Sequence, residues 1–173
     1  MNADAYVAKY VPIGLRPLTQ EEIDSRAIAQ DLKVPTPEAI ETAAAQMARL
    51  IEVKCWLVPV PTSCGSLLPN LVLSRAIAKF VPGARVKCAV GRMQMVESSA
   101  VRRLRGLCGL SVEEHHIIRI AGSMEILPVY FVDNVITTGT TIAACRRALG
   151  WGNGLAYADA STWRTKNYRF LVV

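Results

Sequence analysis

This chain lacks what would place it in a membrane, a zinc module or a disulfide framework. No apolar run approaches the roughly 20 residues that cross a bilayer, so no membrane contact is expected. The start, Met1-Asn-Ala-Asp-Ala-Tyr6, has no basic stretch followed by an apolar one, so no secretory signal is read. The five cysteines (Cys55, Cys64, Cys88, Cys108 and Cys145) are odd in number and widely spaced, and no Cys-x-x-Cys occurs. That pattern argues against zinc and against disulfides and suits a reduced, cytoplasmic setting. A Gly-x4-Gly-Lys-Ser/Thr phosphate loop is also missing. Gly150, Gly152 and Gly154 follow an expected helix instead of opening one, so they do not form a dinucleotide fingerprint. There is no internal repeat and no low-complexity tract.

What is present is apolar and basic. Hydrophobic residues make up 51% of 173 residues, enough for a single domain with a sizeable core. The net charge of +6 suits a polyanionic small molecule. Because the basic residues are not interleaved with aromatics as on a single-strand platform, direct contact with nucleic acid is not expected.

Strand-like and helix-like segments alternate. Thr19-Gln-Glu-Glu22 is a capping box that opens a helix to about residue 32. Thr36 caps a second helix, with Pro37 at its first position and Ile40, Met47 and Ile51 on one face. Strands are expected over 55–60, 84–90, 116–120, 129–133, 155–160 and 169–173, and helices over about 68–80 and 142–149. Such alternation predicts an α/β fold, a parallel sheet with helices on both faces, whose ligands sit beyond the carboxyl ends of the strands. Residues 61–66, 91–109 and 133–141 are the segments that reach that edge.

The densest chemistry lies in Val129-Tyr-Phe-Val-Asp-Asn-Val-Ile-Thr-Thr-Gly-Thr-Thr141. A buried strand delivers Asp133 and Asn134 to the sheet edge, where they can grip vicinal ribose hydroxyls. Thr137, Thr138, Gly139, Thr140 and Thr141 then form a loop that can wrap a phosphate with hydroxyls and backbone N–H groups. The helix that follows points its N-terminus at the same anion.

This run resembles the phosphoribosyl-diphosphate motif of type I phosphoribosyltransferases: four apolar residues, an acidic pair and a Thr-Gly-x-Thr loop. Asn134 stands where most members carry a second acid. The resemblance covers roughly 55–160. It implies an acceptor-covering helical hood, here residues 1–54, over an α/β core of residues 55–173. It also implies a Mg²⁺ cofactor, with Asp133 as its protein ligand, phosphoribosyl diphosphate as donor, a nucleobase-like acceptor and a homodimer.

Two further segments fit. Val58-Pro-Val-Pro61, with Thr62, Ser63, Cys64, Gly65 and Ser66, resembles the family's diphosphate loop; small residues let the backbone approach an anion. Cys64 is read as part of that loop and not as a nucleophile. Residues 91–106 resemble the mobile catalytic loop, with Arg92, Arg102, Arg103 and Arg105 reaching the leaving diphosphate. The end Arg103-Leu-Arg-Gly106 is similar to the ComF-like branch. His115 and His116 are read as a surface strand start, since neighbours on a strand face opposite ways. Trp151, Tyr157 and Trp163 are read as core or interface, with stacking on an acceptor base as the alternative. Two other functions stay open: a regulatory binder of phosphoribosyl diphosphate or a nucleotide without turnover, and a ComF-like role in DNA uptake.

Overall fold

The computed structural model describes residues 4–11 and 16–161. The strands are β1 (Ala5–Lys9), β2 (Trp56–Pro59), β3 (Arg85–Val86), β4 (Val90–Arg92), β5 (Ile117–Arg119), β6 (Val129–Ile136) and β7 (Asn153–Asp159). Five of them form one sheet in the order β1-β7-β6-β2-β3, and each neighbouring pair is parallel. β4 and β5 make a separate antiparallel ribbon. The helices are α1 (Gln20–Asp31), α2 (Pro37–Ala48), α3 (Leu68–Phe80), α4 (Ser99–Leu104) and α5 (Thr140–Leu149). None of the described helices is long and apolar enough to cross a membrane.

Local sequence explains most of these boundaries. Thr19 and Glu22 close the capping box of α1 reciprocally, at 2.9 and 3.3 Å. Thr36 Oγ1 accepts from Ala39 N, and Pro37 opens α2. The α3 positions 70, 73, 74 and 77 are buried, one stripe at helical spacing.

The sheet is packed on both faces. On one side α1, α2 and α3 bury Ala29, Ala43, Met47, Leu73 and Ile77 against Leu57, Val132, Leu155 and Tyr157. On the other, α5 and the ribbon bury Ile142, Cys145, Leu149 and Val90 against Val58, Phe131 and Ala156. α1 and α2 were expected to stand outside the core as a hood, and here the expectation is corrected. Ala39, Ala43, Ala44 and Ala48 give α2 a small-residue face, and it packs into the main core beside α3.

Three other expectations change. β1 was not foreseen; it is a short edge strand whose partner, β7, lies at the far end of the chain. The strand expected over 84–90 is cut in two. β3 pairs with β2, and Ala89 O then accepts from Ile120 N and Ala121 N, which turns the chain into the ribbon. The strand expected over 116–120 belongs to that ribbon and not to the parallel sheet. The strand expected over 169–173, and Trp163, lie outside the described residues.

Candidate functional site at the carboxyl edge of the sheet

β6 carries Asp133 into the sheet between β2 and β7, and the chain runs on to Ile136. Asp133 Oδ1 accepts from Asn134 N at 2.8 Å and from Asn70 Nδ2 at 3.3 Å. Asn70 is 3% exposed and also donates to Val60 O at 2.8 Å, so it ties the end of β2 to the carboxylate. Burial pushes the Asp133 carboxyl up to about 6; the two accepted hydrogen bonds and the Arg92 cation pull the other way. Asn134 is turned onto its own strand, with Oδ1 accepting from Val135 N at 2.9 Å.

The 137–141 segment forms a half-buried turn into α5. Gly139 is the N-cap of α5 at φ +74°, in the left-handed region, and has no side chain to cap the helix; Thr138 Oγ1 accepts from Thr140 N at 3.4 Å. The remaining first-turn N–H groups of α5 face the loop. Thr138 Oγ1 and Thr140 Oγ1 lie 2.7 Å apart. A Cβ on Gly139 would meet no atom within 4 Å, so the glycine serves its backbone angle and not a close approach within the protein. Gly139→Ala should consequently cost about 1–2 kcal/mol of folding stability from the positive φ alone, read by urea unfolding.

The 62–66 loop closes on itself. Gly65 N donates to Thr62 O, Thr62 N donates to Ser66 O, and Gly65 takes φ +87°. Two of its N–H groups are thus spent inside the turn. The Thr62 hydroxyl, 3.2 Å from Cys64 Sγ, holds that thiol below its ordinary range. Val96 N donates to Ser63 O at 2.9 Å, which attaches the basic segment to this loop.

Arg92, Arg102 and Arg105 hold partners within the protein. Arg92 lies in β4, not in a loop, and its guanidinium turns inward. Nε donates to Thr62 O at 2.9 Å and Nη1 donates to the His115 carbonyl, so Arg92 braces the 62–66 loop. Arg102 Nε donates to Cys108 O at 2.7 Å within its own segment, and Arg105 pairs with Glu97. Arg103 lies in α4. The geometry therefore gives Arg92 an anchoring part and keeps Arg102 and Arg105 on local partners.

His115 corrects another expectation. It ends a 3-10 turn, Glu113–His115, and is 5% exposed, whereas His116 is exposed at φ +48°. Its Nε2 lies 3.0 Å from Thr140 Oγ1, and its Nδ1 faces Arg92. Burial and the neighbouring cation push the ring down to about 4, so it is neutral at neutral pH. Arg92 and His115 thereby connect the 62–66 loop to the 137–141 loop. Tyr157 is core, packed under α1 and α2, and Trp151 is 37% exposed with Arg119 over its ring.

Beside the Thr138–Gly139 turn lies a cavity of about 200 Å³, lined also by Asp4, Tyr6, Ile136, Asp159 and Ser161. Asp159 is 5% exposed and accepts from Ser161 N and Oγ at 2.9 and 3.0 Å. Asn70, His115 and Asp159 were missed from sequence. Two had a readable signal: Asn70 is a polar residue on an apolar helix stripe, and Leu155-Ala-Tyr-Ala-Asp159 repeats the strand-then-acid pattern of β6. His115 had none, because its partners come from β4 and α5. Among the described residues no group of three or more His, Cys, Asp or Glu is placed to hold a metal ion. Neither a family model nor a curated protein matches this chain.

Proposed function

We propose that the carboxyl edge of this sheet binds phosphoribosyl diphosphate and transfers its ribose 5-phosphate to a ring nitrogen of a nucleobase-like acceptor. The fold proposed is accordingly the type I phosphoribosyltransferase one. The observation that carries this reading is the convergence of Asp133, the 137–141 turn at the start of α5 and the 62–66 loop, linked through Asn70, Arg92 and His115. In the reaction the acceptor nitrogen forms a bond to the anomeric carbon, and the bond from that carbon to the diphosphate oxygen breaks. Diphosphate leaves with the electron pair, and the acceptor's N–H proton passes to solvent. Positive charge develops at the anomeric carbon, so positioning and electrostatics carry the catalysis.

The 137–141 turn would hold the 5-phosphate, and Asp133 would orient the ribose hydroxyls. Asp133 offers one carboxylate, which fits Mg²⁺, an ion that takes one or two carboxylates and fills its shell from phosphates and water. Bound there with Asp133, Mg²⁺ would neutralise charge on the leaving diphosphate. Binding without turnover is the second reading. It is favoured by Asn134, an uncharged side chain folded onto its own backbone where an acid would face the ribose.

Calorimetric titration with phosphoribosyl diphosphate and Mg²⁺, paired with a diphosphate-release assay over a panel of bases, tests both. Saturable binding with release for one base class is the expected result. Saturable binding with no release for any base selects the binder, and no binding removes both.

A further inference from the structure

We propose that His115 is a positioning residue: as the neutral, Nε2-protonated ring it orders the Thr140 and Thr138 hydroxyls so that Thr138 donates its O–H to a phosphate monoester in the 137–141 turn. The inference rests on the phosphate reading of that turn and adds a residue that neither the motif nor the resemblance supplies.

The order of the hydrogen bonds follows from one cation. Both terminal nitrogens of Arg92 lie 3.5 Å from His115 Nδ1. A guanidinium only donates, so Nδ1 presents its lone pair, and in a neutral ring the proton then sits on Nε2. Nε2–H donates to Thr140 Oγ1 at 3.0 Å. Thr140 keeps its own proton to give, and the acceptor 2.7 Å away is Thr138 Oγ1. Thr138 Oγ1 also receives the Thr140 backbone N–H, at 3.4 Å. With two donors arriving, the Thr138 proton turns outward, toward the cavity that Thr138 lines. Two carboxylates also line that cavity: Asp159 accepts from Ser161 N and Oγ, one on each oxygen, and Asp4 is paired with Arg146.

Polarity is the consequence that matters. A phosphate dianion accepts hydrogen bonds and gives none, so it needs the outward proton. The opposite ring tautomer would set Nδ1–H against a guanidinium. It would also let Thr140 donate to the ring and Thr138 donate back to Thr140, leaving lone pairs toward the anion. Aligned donors in such a chain also strengthen one another.

The test has two parts. Long-range ¹H–¹⁵N correlation spectra of the full chain at pH 7 should show His115 neutral and protonated on Nε2; a ring protonated on Nδ1 overturns the proposal. Ribose 5-phosphate is then titrated into wild type, His115→Gln and His115→Leu, each checked for a folded spectrum. The Gln amide N–H can replace the Nε2 donor, whereas Leu has none. His115→Leu should bind about tenfold more weakly and His115→Gln within about threefold of wild type. Equal binding by wild type and His115→Leu, or loss in His115→Gln as large as in His115→Leu, overturns the donor role. If wild type binds neither ribose 5-phosphate nor inorganic phosphate, the phosphate reading of the turn fails and the ligand half of this inference fails with it. The tautomer spectrum still decides the order of the hydrogen bonds.

Discussion

Asp133→Asn should make the ligand-free protein more stable at pH 8, by about 2–3 kcal/mol, while weakening phosphoribosyl diphosphate binding tenfold to a hundredfold, on the order of the loss of one charge-assisted hydrogen bond. The two effects have one cause. Asp133 sits among β2, β6 and α3, where burial raises its carboxyl from an ordinary 3.8 to about 6. Above pH 6 the folded chain must hold a desolvated charge that the unfolded chain holds in water. Asn keeps an oxygen to accept from Asn134 N and Asn70 Nδ2, and it removes the charge.

The sign fixes the pH dependence. Between about 4 and 6 the folded state binds more protons at this group than the unfolded state, so wild-type stability falls as pH rises through that window. By pH 4, close to the ordinary 3.8, most of the advantage of Asp133→Asn should be gone, and it should vanish only well below that, where the carboxyl is protonated in both states. Urea unfolding of both proteins at pH 4, 6 and 8 measures this. A variant less stable than wild type at pH 8, or a stability gap that does not change with pH, would show that the Asp133 charge is not the costly group. Wild-type affinity in the variant would instead leave that account of stability intact and count against the ribose role.

The carboxylate was legible in the sequence because its signal is local: an apolar strand, an acid, a turn with one glycine and a helix follow one another without interruption. The same holds for the caps of α1 and α2 and the buried stripe of α3, each contained within a few residues. What could not be read came from pairing across the chain. β1 finds β7 after most of the sequence has passed, and its five residues carry no pattern strong enough to name a strand. The basic segment misled for a related reason. A run of arginines reads as reach, but Arg92 and Arg102 each take the nearest satisfied geometry. For Arg92 that is the carbonyls of Thr62 and His115, and for Arg102 it is the carbonyl of Cys108. The link from Arg92 through His115 to Thr140 joins residues from three elements, so no window of sequence contains it.

The other large effect concerns Gly152, between α5 and β7. Read from sequence it is one of three closely spaced glycines with no assigned task. In the structure it takes φ +126°, and a Cβ there would lie 2.6 Å from Phe131 Cε2 and 2.9 Å from Val129 Cγ1. Both neighbours are core residues, 0% and 2% exposed, so neither can swing away as the end of a surface side chain would. The backbone is held as well, because Arg146 Nε donates to Gly152 O at 2.7 Å. Gly152→Ala therefore combines an overpacked core with a strained backbone angle, and should lower folding stability by about 3 kcal/mol or more. Gly122→Ala is the matched control: Gly122 is exposed, and a Cβ there would meet no atom within 4 Å. Its urea midpoint should stay close to wild type while that of Gly152→Ala falls sharply. Equal midpoints for the two variants would mean that the turn into β7 can move away from Phe131. The close parallel pairing of β6 with β7, which sets Asp133 beside Ala156 and Ile136 beside Asp159, would then not depend on this glycine.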